Sequence, residues 1–146
     1  MATDPTTGQN IFGKYHVGIH NVGSYQVSGI PWMSGSALAQ DEEHKLEFPM
    51  VTKSITVIAS GAFDSGELRV HFAPTGSDKS PVVVSHRYIT MNSHEDAYTF
   101  NVKTKEIYVS ATGSAVGVGY ECVAELTNIP AAGMYAHTGS GISTSA

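Results

Sequence analysis

Histidines are the residues of this chain most suited to chemistry, since seven of them occur among 146 residues. His16 and His20 would share one face of a strand, but about 13 Å apart at roughly 3.3 Å per residue, which is too far for one metal ion. His71 and His86 fall on neighbouring predicted strands and could meet across a sheet. Neither pair has a recognised ligand spacing. We therefore expect a solvated polar face, with no metal-binding residues.

Other reactive residue types also lack the spacing that chemistry needs. His94, Glu95 and Asp96 are adjacent in a predicted turn, where they would touch a cation only weakly. No nucleophile elbow, Walker loop or dinucleotide fingerprint occurs. Cys122 lies in an apolar run, which indicates a small buried hydrophobe and not a reactive thiol. We expect no catalytic residue and no cofactor, so the chain is predicted not to be an enzyme.

Charge is scarce in this chain, and its balance excludes several partners. Charged residues make up 14% of the sequence, against about 25% in an average soluble domain. Eight Lys and Arg are outnumbered by 13 Asp and Glu, which disfavours nucleic acid. No signal-peptide pattern or membrane-spanning apolar run is present, so we expect no membrane partner and assembly in a cytosol. Much of the surface must be Ser, Thr, Gly and Asn, or be covered by partners.

The elements that must position these residues are strands, because apolar and polar residues alternate with a period of two. In the run 66–74, Leu68 and Val70 are predicted to face a core, and His71 to face outward. Residues 34–44, SGSALAQDEEH, are predicted to be a polar connection. The alternating runs are YHVGIHN (15–21), SYQVSGI (24–30), HKLEFPM (44–50), KSITVIAS (53–60), GELRVHFAP (66–74), VVVSHRYIT (82–90), DAYTFNV (96–102), KEIYVSA (105–111) and AVGVGYECVAELTNIP (115–130).

Short strands joined by Gly- and Ser-rich turns predict an all-β fold, an antiparallel β-sandwich or jelly-roll-like barrel. Its core is predicted over residues 14–130, between an N-terminal arm (1–13) and a C-terminal tail (131–146). Large apolar residues in Gly- and Ser-rich surroundings are predicted to contact partner chains. These candidate interface residues are Tyr25, Ile30, Trp32, Met33, Met134, Tyr135 and Ile142. For Trp32 a second interpretation stays open, in which it folds back to plug one end of the sandwich.

Four stretches resemble small structural proteins of tailed phages of marine bacteria, cyanophages in particular. They read YHVGIHNVGSYQVSGIPWMSGS, FPMVTKSITVIASGAFDSGELRVHF, HRYITMNSHEDAYTFNVKTKEIYVSA and YECVAELTNIPAAGMYAHTGSGI, and they extend from Tyr15 to Ile142. His137 departs from the family pattern, which has an apolar residue there. The resemblance implies a virion protein assembled in the host cytoplasm.

Within the virion, the resemblance implies a capsid decoration, or cement, protein. Such a protein would form a homotrimer and grip major capsid subunits with its arms. Three alternatives remain: a tail, neck or fibre-associated component; a host-carbohydrate-binding module using Tyr98 and Tyr108; and a small cupin-like enzyme, which would need His71, His86 and a further ligand.

Overall fold

The computed structural model describes residues 29–63, 66–73, 88–113 and 117–134. These ranges contain strands and no α-helix. The strands are β1 (Trp32–Ala37), β2 (Glu43–Glu47), β3 (Met50–Gly61), β4 (Gly66–His71), β5 (Tyr88–Met91), β6 (Ala97–Phe100), β7 (Glu106–Gly113) and β8 (Val118–Pro130). One short 3-10 turn, Ala131–Gly133, follows β8.

The strands form two four-stranded sheets, in which every pair of neighbours is antiparallel. Sheet I has the order β1-β8-β3-β6, and sheet II has the order β2-β7-β4-β5. Consecutive strands alternate between the sheets except β4 and β5, which are neighbours in sheet II, and this is the strand order of an eight-stranded jelly roll. The predicted all-β antiparallel sandwich is confirmed for the described residues.

The core lies between the two sheets and follows the predicted alternation. Tyr120, Cys122 and Ala124 on β8 pack inward in the same cluster as Leu68 and Val70 on β4. Cys122 is buried, and this burial raises the pKa of its thiol to about 12. The prediction of a small buried hydrophobe at Cys122 is therefore confirmed, since a thiol with so high a pKa carries almost no nucleophilic thiolate at neutral pH.

β1 corrects the prediction that residues 34–44 form only a connection. β1 is an edge strand, and its inner side contacts the core chiefly at Trp32. Few of its residues need to be apolar, so its sequence, WMSGSA, shows no apolar alternation. Hydrogen bonds to β8 hold it in the sheet instead. The predicted strand at 15–21, most of that at 24–30, and residues 82–87 lie outside the described residues, as does the predicted arm.

Candidate functional site

The outer face of sheet II carries charges that neutralise one another. Lys45 Nζ lies 2.6 Å from a Glu47 oxygen and 2.9 Å from a Glu106 oxygen. Hydrogen bonds to Glu47 and Glu106 raise the pKa of Lys45, and the bond from Lys45 lowers the pKa of Glu106. Arg69 Nη2 lies 3.1 Å from Glu67. Both cations therefore have carboxylate partners within their own face, which leaves them poorly placed to bind an external anion.

His71 also lies on this outer face, but it is 1% exposed, which corrects its predicted solvation. Its Nδ1 is 2.6 Å from the Ala73 carbonyl, which only accepts, so Nδ1 carries a proton. Nε2 then accepts from the Ser110 hydroxyl at 3.0 Å. Tyr108 stacks on the ring at 5.7 Å, and Glu43 lies 3.6 Å from Nε2. The buried Ser–His pair is thus arranged as a structural bond and is closed to a substrate.

The other histidine candidates do not assemble a metal site in the part of the chain that is described. His94 Nδ1 accepts from the Gly61 amide at 3.2 Å, and its Nε2 lies 3.7 Å from Glu95. Asp96 accepts backbone bonds within its own turn. No group of three or more His, Cys, Asp or Glu side chains in the described ranges could hold a metal ion. His16, His20 and His86 lie outside those ranges.

The two tyrosines considered for carbohydrate binding lie on different sheets. Tyr108 is on β7 in sheet II, where it is buried and donates to Glu106 at 3.3 Å. Tyr98 is 45% exposed on β6, the edge strand of sheet I. They do not form one exposed aromatic platform, so the sequence hypothesis that paired them is wrong in its geometry.

A groove of about 410 Å³ opens beside the end of sheet II, and its charges are also engaged. Lys45 and Glu106 on its wall pair with each other. Lys105, also on the wall, donates to the Met134 carbonyl at 3.2 Å. The groove is therefore an unsuitable anion site, since its lysines are already bound to acceptors.

The outer face of sheet I differs in character, because its side chains are small, hydroxylated or apolar. Val123 and Ile58 are half-buried at its centre. Three rows cross the strands: Met33–Val123–Thr56–Thr99, Gly35–Glu121–Ile58–Ala97 and Ala37–Gly119–Ser60. A fourth pairing, Ser54 with Glu125, has a 2.9 Å hydrogen bond. These rows hold two carboxylates and no lysine or arginine.

Two glycines leave a depression in this face, because they have no side chains. A Cβ at Gly35 would stand 2.9 Å from the Tyr120 carbonyl oxygen, and one at Gly119 would stand 2.9 Å from Ser60 Oγ. Both distances are shorter than real Cβ contacts allow. The depression of about 370 Å³ that these glycines help to line thus depends on the absence of side chains.

The outer edge of β1 borders this face and presents backbone groups. The Leu38 amide donates to the Val118 carbonyl at 2.8 Å, so the backbone at Leu38 points toward β8. Because direction alternates along a strand, Met33, Gly35 and Ala37 point their N–H and C=O groups away from β8. No strand of the described residues lies on that side.

The predicted interface residues divide between this surface and the chain's own interior. Ile30 and Met33 are 79% and 69% exposed, and their predicted contact with a partner stays a prediction. Trp32 is half-buried, with its ring edge-to-face on Phe48 at 4.8 Å, which supports the plug interpretation. Met134 is buried in a cluster with Val51 and Ile129, contrary to the prediction of an exposed anchor.

The 3-10 turn explains the position of Met134, because its backbone folds Met134 back onto the strands. The Ala131 amide donates to the Pro49 carbonyl at 3.3 Å, and the Met134 amide donates to Ala131 at 3.1 Å. The remaining predicted interface residues, Tyr25, Tyr135 and Ile142, lie outside the described residues. Sequence reasoning missed Gly35, Ala37 and the outer face of sheet I beside them. Their one sequence signal is the absence of charge between Gly29 and Gln40.

Comparison with known proteins adds little to this geometry. No helix among the described residues is long and apolar enough to cross a bilayer. No protein-family model and no curated protein matches the chain. The chain is similar to the solution NMR structure of a de novo designed double-stranded β-helix, at 12% identity over 64% of this chain and 97% of that one, with a TM-score of 0.35. A similarity of this size carries no argument, and the jelly roll is identified from the strand order alone.

Proposed function

We propose that the chain is a structural protein of a phage virion that decorates the capsid. In this role it stabilises the shell through contacts with major capsid subunits and with copies of itself. The observation that carries the proposal is the exposure of Ile30 and Met33 beside the paired outward rows of sheet I, which hold no lysine or arginine; the exposed Lys53 lies outside these rows, at the irregular end of β3. Exposed apolar groups beside such a face are typical of protein contact sites.

The chemistry of sheet I matches what a cement protein needs. The hydroxyl and methyl groups of Thr56 and Thr99 can lie against another protein, and Glu121 and Glu125 are the only charges of these rows that the contact would desolvate. Each contact of this kind is weak, and symmetric repetition over a shell multiplies it. A jelly roll hosts many functions, so the proposal rests on this surface and on the phage resemblance of the quoted segments, and not on the fold.

A tail, neck or fibre-associated component would use the same surface chemistry, and copy number separates it from a decoration protein. The measurement is quantitative mass spectrometry of purified particles of the encoding phage, with the major capsid protein as the internal standard. Decoration requires copies comparable in number to capsid subunits. A few tens of copies per particle would favour the tail or neck, and absence from the particle would refute the virion proposal.

A pair of variants tests whether sheet I is the docking face. Met33→Glu places a charge at the border of the outer face of sheet I, whereas Thr90→Glu places one on the outer face of sheet II, on its edge strand β5 and opposite Arg69. Both chains are supplied in infected cells that lack the native gene. We expect Met33→Glu to be depleted from particles by at least about tenfold and Thr90→Glu to be retained. Equal retention of both would overturn the assignment of this face.

A further inference from the structure

We propose that two copies of the chain pair antiparallel through β1, so that their two copies of sheet I become one continuous sheet. The pairing is isologous and two-fold, with Gly35 opposite Gly35 of the second copy. It deepens the self-association in the proposed function and rests on that function for its biological setting. Three properties of β1 support the pairing: its edge is unprotected, its backbone register is self-complementary, and it carries no charge.

β1 differs from the other edge strands of the described sheets. Natural edge strands are protected by charge, by proline or by shortness. β2 carries charge along EHKLE, and β5 and β6 have four residues each. β1 has six residues and none of these protections. An uncharged, exposed edge of this length is a template for strand addition.

The backbone register of β1 is self-complementary. Met33, Gly35 and Ala37 point their N–H and C=O groups away from β8, as the Leu38–Val118 bond requires. A two-fold axis at Gly35 sets Met33 opposite Ala37 of the second copy, and Ala37 opposite its Met33. Each of these pairs can then exchange both backbone hydrogen bonds, as hydrogen-bonded pairs do in an antiparallel ladder.

The side chains of β1 allow the same register. The long Met33 side chain would lie beside the small Ala37 of the second copy, which covers part of the most exposed thioether on this face. Gly35 opposite itself brings no side chains into conflict. No like charges face each other in this register, because β1 carries no charged residue.

Electrostatics and contact area make this association weak. Each chain carries a net charge of −5, and Glu121 lies on β8 directly across from Gly35. Pairing two six-residue edge strands buries far less accessible surface than a stable interface does, which is about 1,200 Å² or more. We expect a Kd in the range of about 10 µM to 1 mM, strengthened by salt because salt screens like charges. The resulting symmetry is two-fold, in place of the three-fold symmetry that the phage resemblance implies.

Analytical ultracentrifugation of the full chain, from about 5 µM to 1 mM, tests the association. We expect a monomer–dimer equilibrium that shifts toward dimer as NaCl rises. Amide hydrogen exchange at the same concentrations tests the register. The Met33, Gly35 and Ala37 amides should gain protection with concentration, whereas Ser34 and Ser36, already bonded to β8, should not change. A monomer throughout, a trimer, or protection without this alternation would overturn the proposal.

Variants assign the association to β1. Met33→Lys and Ala37→Lys should each weaken dimerisation at least about tenfold, while Thr112→Lys, at an outward position of β7 opposite Glu67, should not. Glu121→Gln should strengthen it, because a repelling carboxylate is lost. Circular dichroism establishes that each variant folds, and dimerisation unchanged in both lysine variants of β1 would overturn the proposal. A monomeric chain found at high copy in particles would refute only the dimer, and a dimer absent from particles would refute only the virion role.

Discussion

His71 occupies an outward-facing position of β4 and is nevertheless buried. Its ring can remain neutral there because both nitrogens are satisfied, one by Ala73 and the other by Ser110. Burial is the largest influence on this group and lowers the pKa of His71. The nearby Glu43 carboxylate raises that pKa in part, and Arg69 lowers it further. Tyr88 and Tyr108 lie opposite His71 on its two neighbouring strands.

The lowered pKa of His71 predicts that stability falls under mildly acidic conditions. Below about pH 6.5, the unfolded chain binds a proton at His71 that the folded chain resists. The contribution of neutral, buried His71 to the free energy of unfolding is therefore fully present above that pH and declines as the pH falls toward 5. Each unit of pKa lowering corresponds to about 1.4 kcal/mol. Urea unfolding at several pH values measures the slope. His71→Gln should flatten it, and His94→Gln, which replaces an exposed histidine, should not; an unchanged slope in His71→Gln would contradict the prediction.

At the scale of elements, β3 and β8 hold the longest ladder of sheet I, and it is irregular at one end. The register shifts between Met50 and Ser54. Buried threonines bind backbone groups beside this irregularity. Thr52 Oγ1 donates to the Val102 carbonyl at 2.9 Å. Thr127 Oγ1 donates to the Val51 carbonyl at 2.7 Å and accepts from the Ile129 amide at 3.2 Å.

Thr127→Val should therefore destabilise the fold by about 1–3 kcal/mol, since it removes buried hydrogen bonds to the Val51 carbonyl and the Ile129 amide. Thr56→Val is the matched control. It removes a hydroxyl bonded to Thr99 at 2.9 Å on the exposed face, and we expect a change within about 0.5 kcal/mol. Chemical denaturation of both variants measures the difference. Equal losses would mean that the hydroxyl of Thr127 has no special role at the irregular end of the ladder.

These elements also mark how far sequence reasoning reaches. Alternation predicted the interior of β8 through Leu126, because each inward residue there is apolar. It could not predict that the buried set continues with Thr127 and Ile129, since a register shift changes which residues face inward. It could not find β1 either, because an edge strand is held by hydrogen bonds and not by apolar alternation. The candidate surface was predicted only where exposed apolar residues, Ile30 and Met33, mark it.

For the molecule as a whole, the two outer faces are unlike. Sheet II places Lys45 and Arg69 in ion pairs with its own carboxylates. Sheet I has Glu121 and Glu125 as the only charges of its four outer rows. The proposed function assigns sheet I to a partner surface and leaves sheet II facing water. This asymmetry predicts that folding and assembly depend on different residues, even where those residues are neighbours in the chain.

Trp32 and Met33 make this separation testable, because they project to opposite sides of β1. Trp32 packs on Phe48 and the core, so Trp32→Ala should cost the isolated chain about 2 kcal/mol or more. Met33→Ala should change stability by less than about 0.5 kcal/mol, because Met33 is exposed, yet weaken dimerisation and retention in particles. Unfolding, sedimentation and particle composition provide the three measurements. If Trp32→Ala preserved stability and abolished assembly, Trp32 would be the partner anchor and the plug interpretation would be wrong.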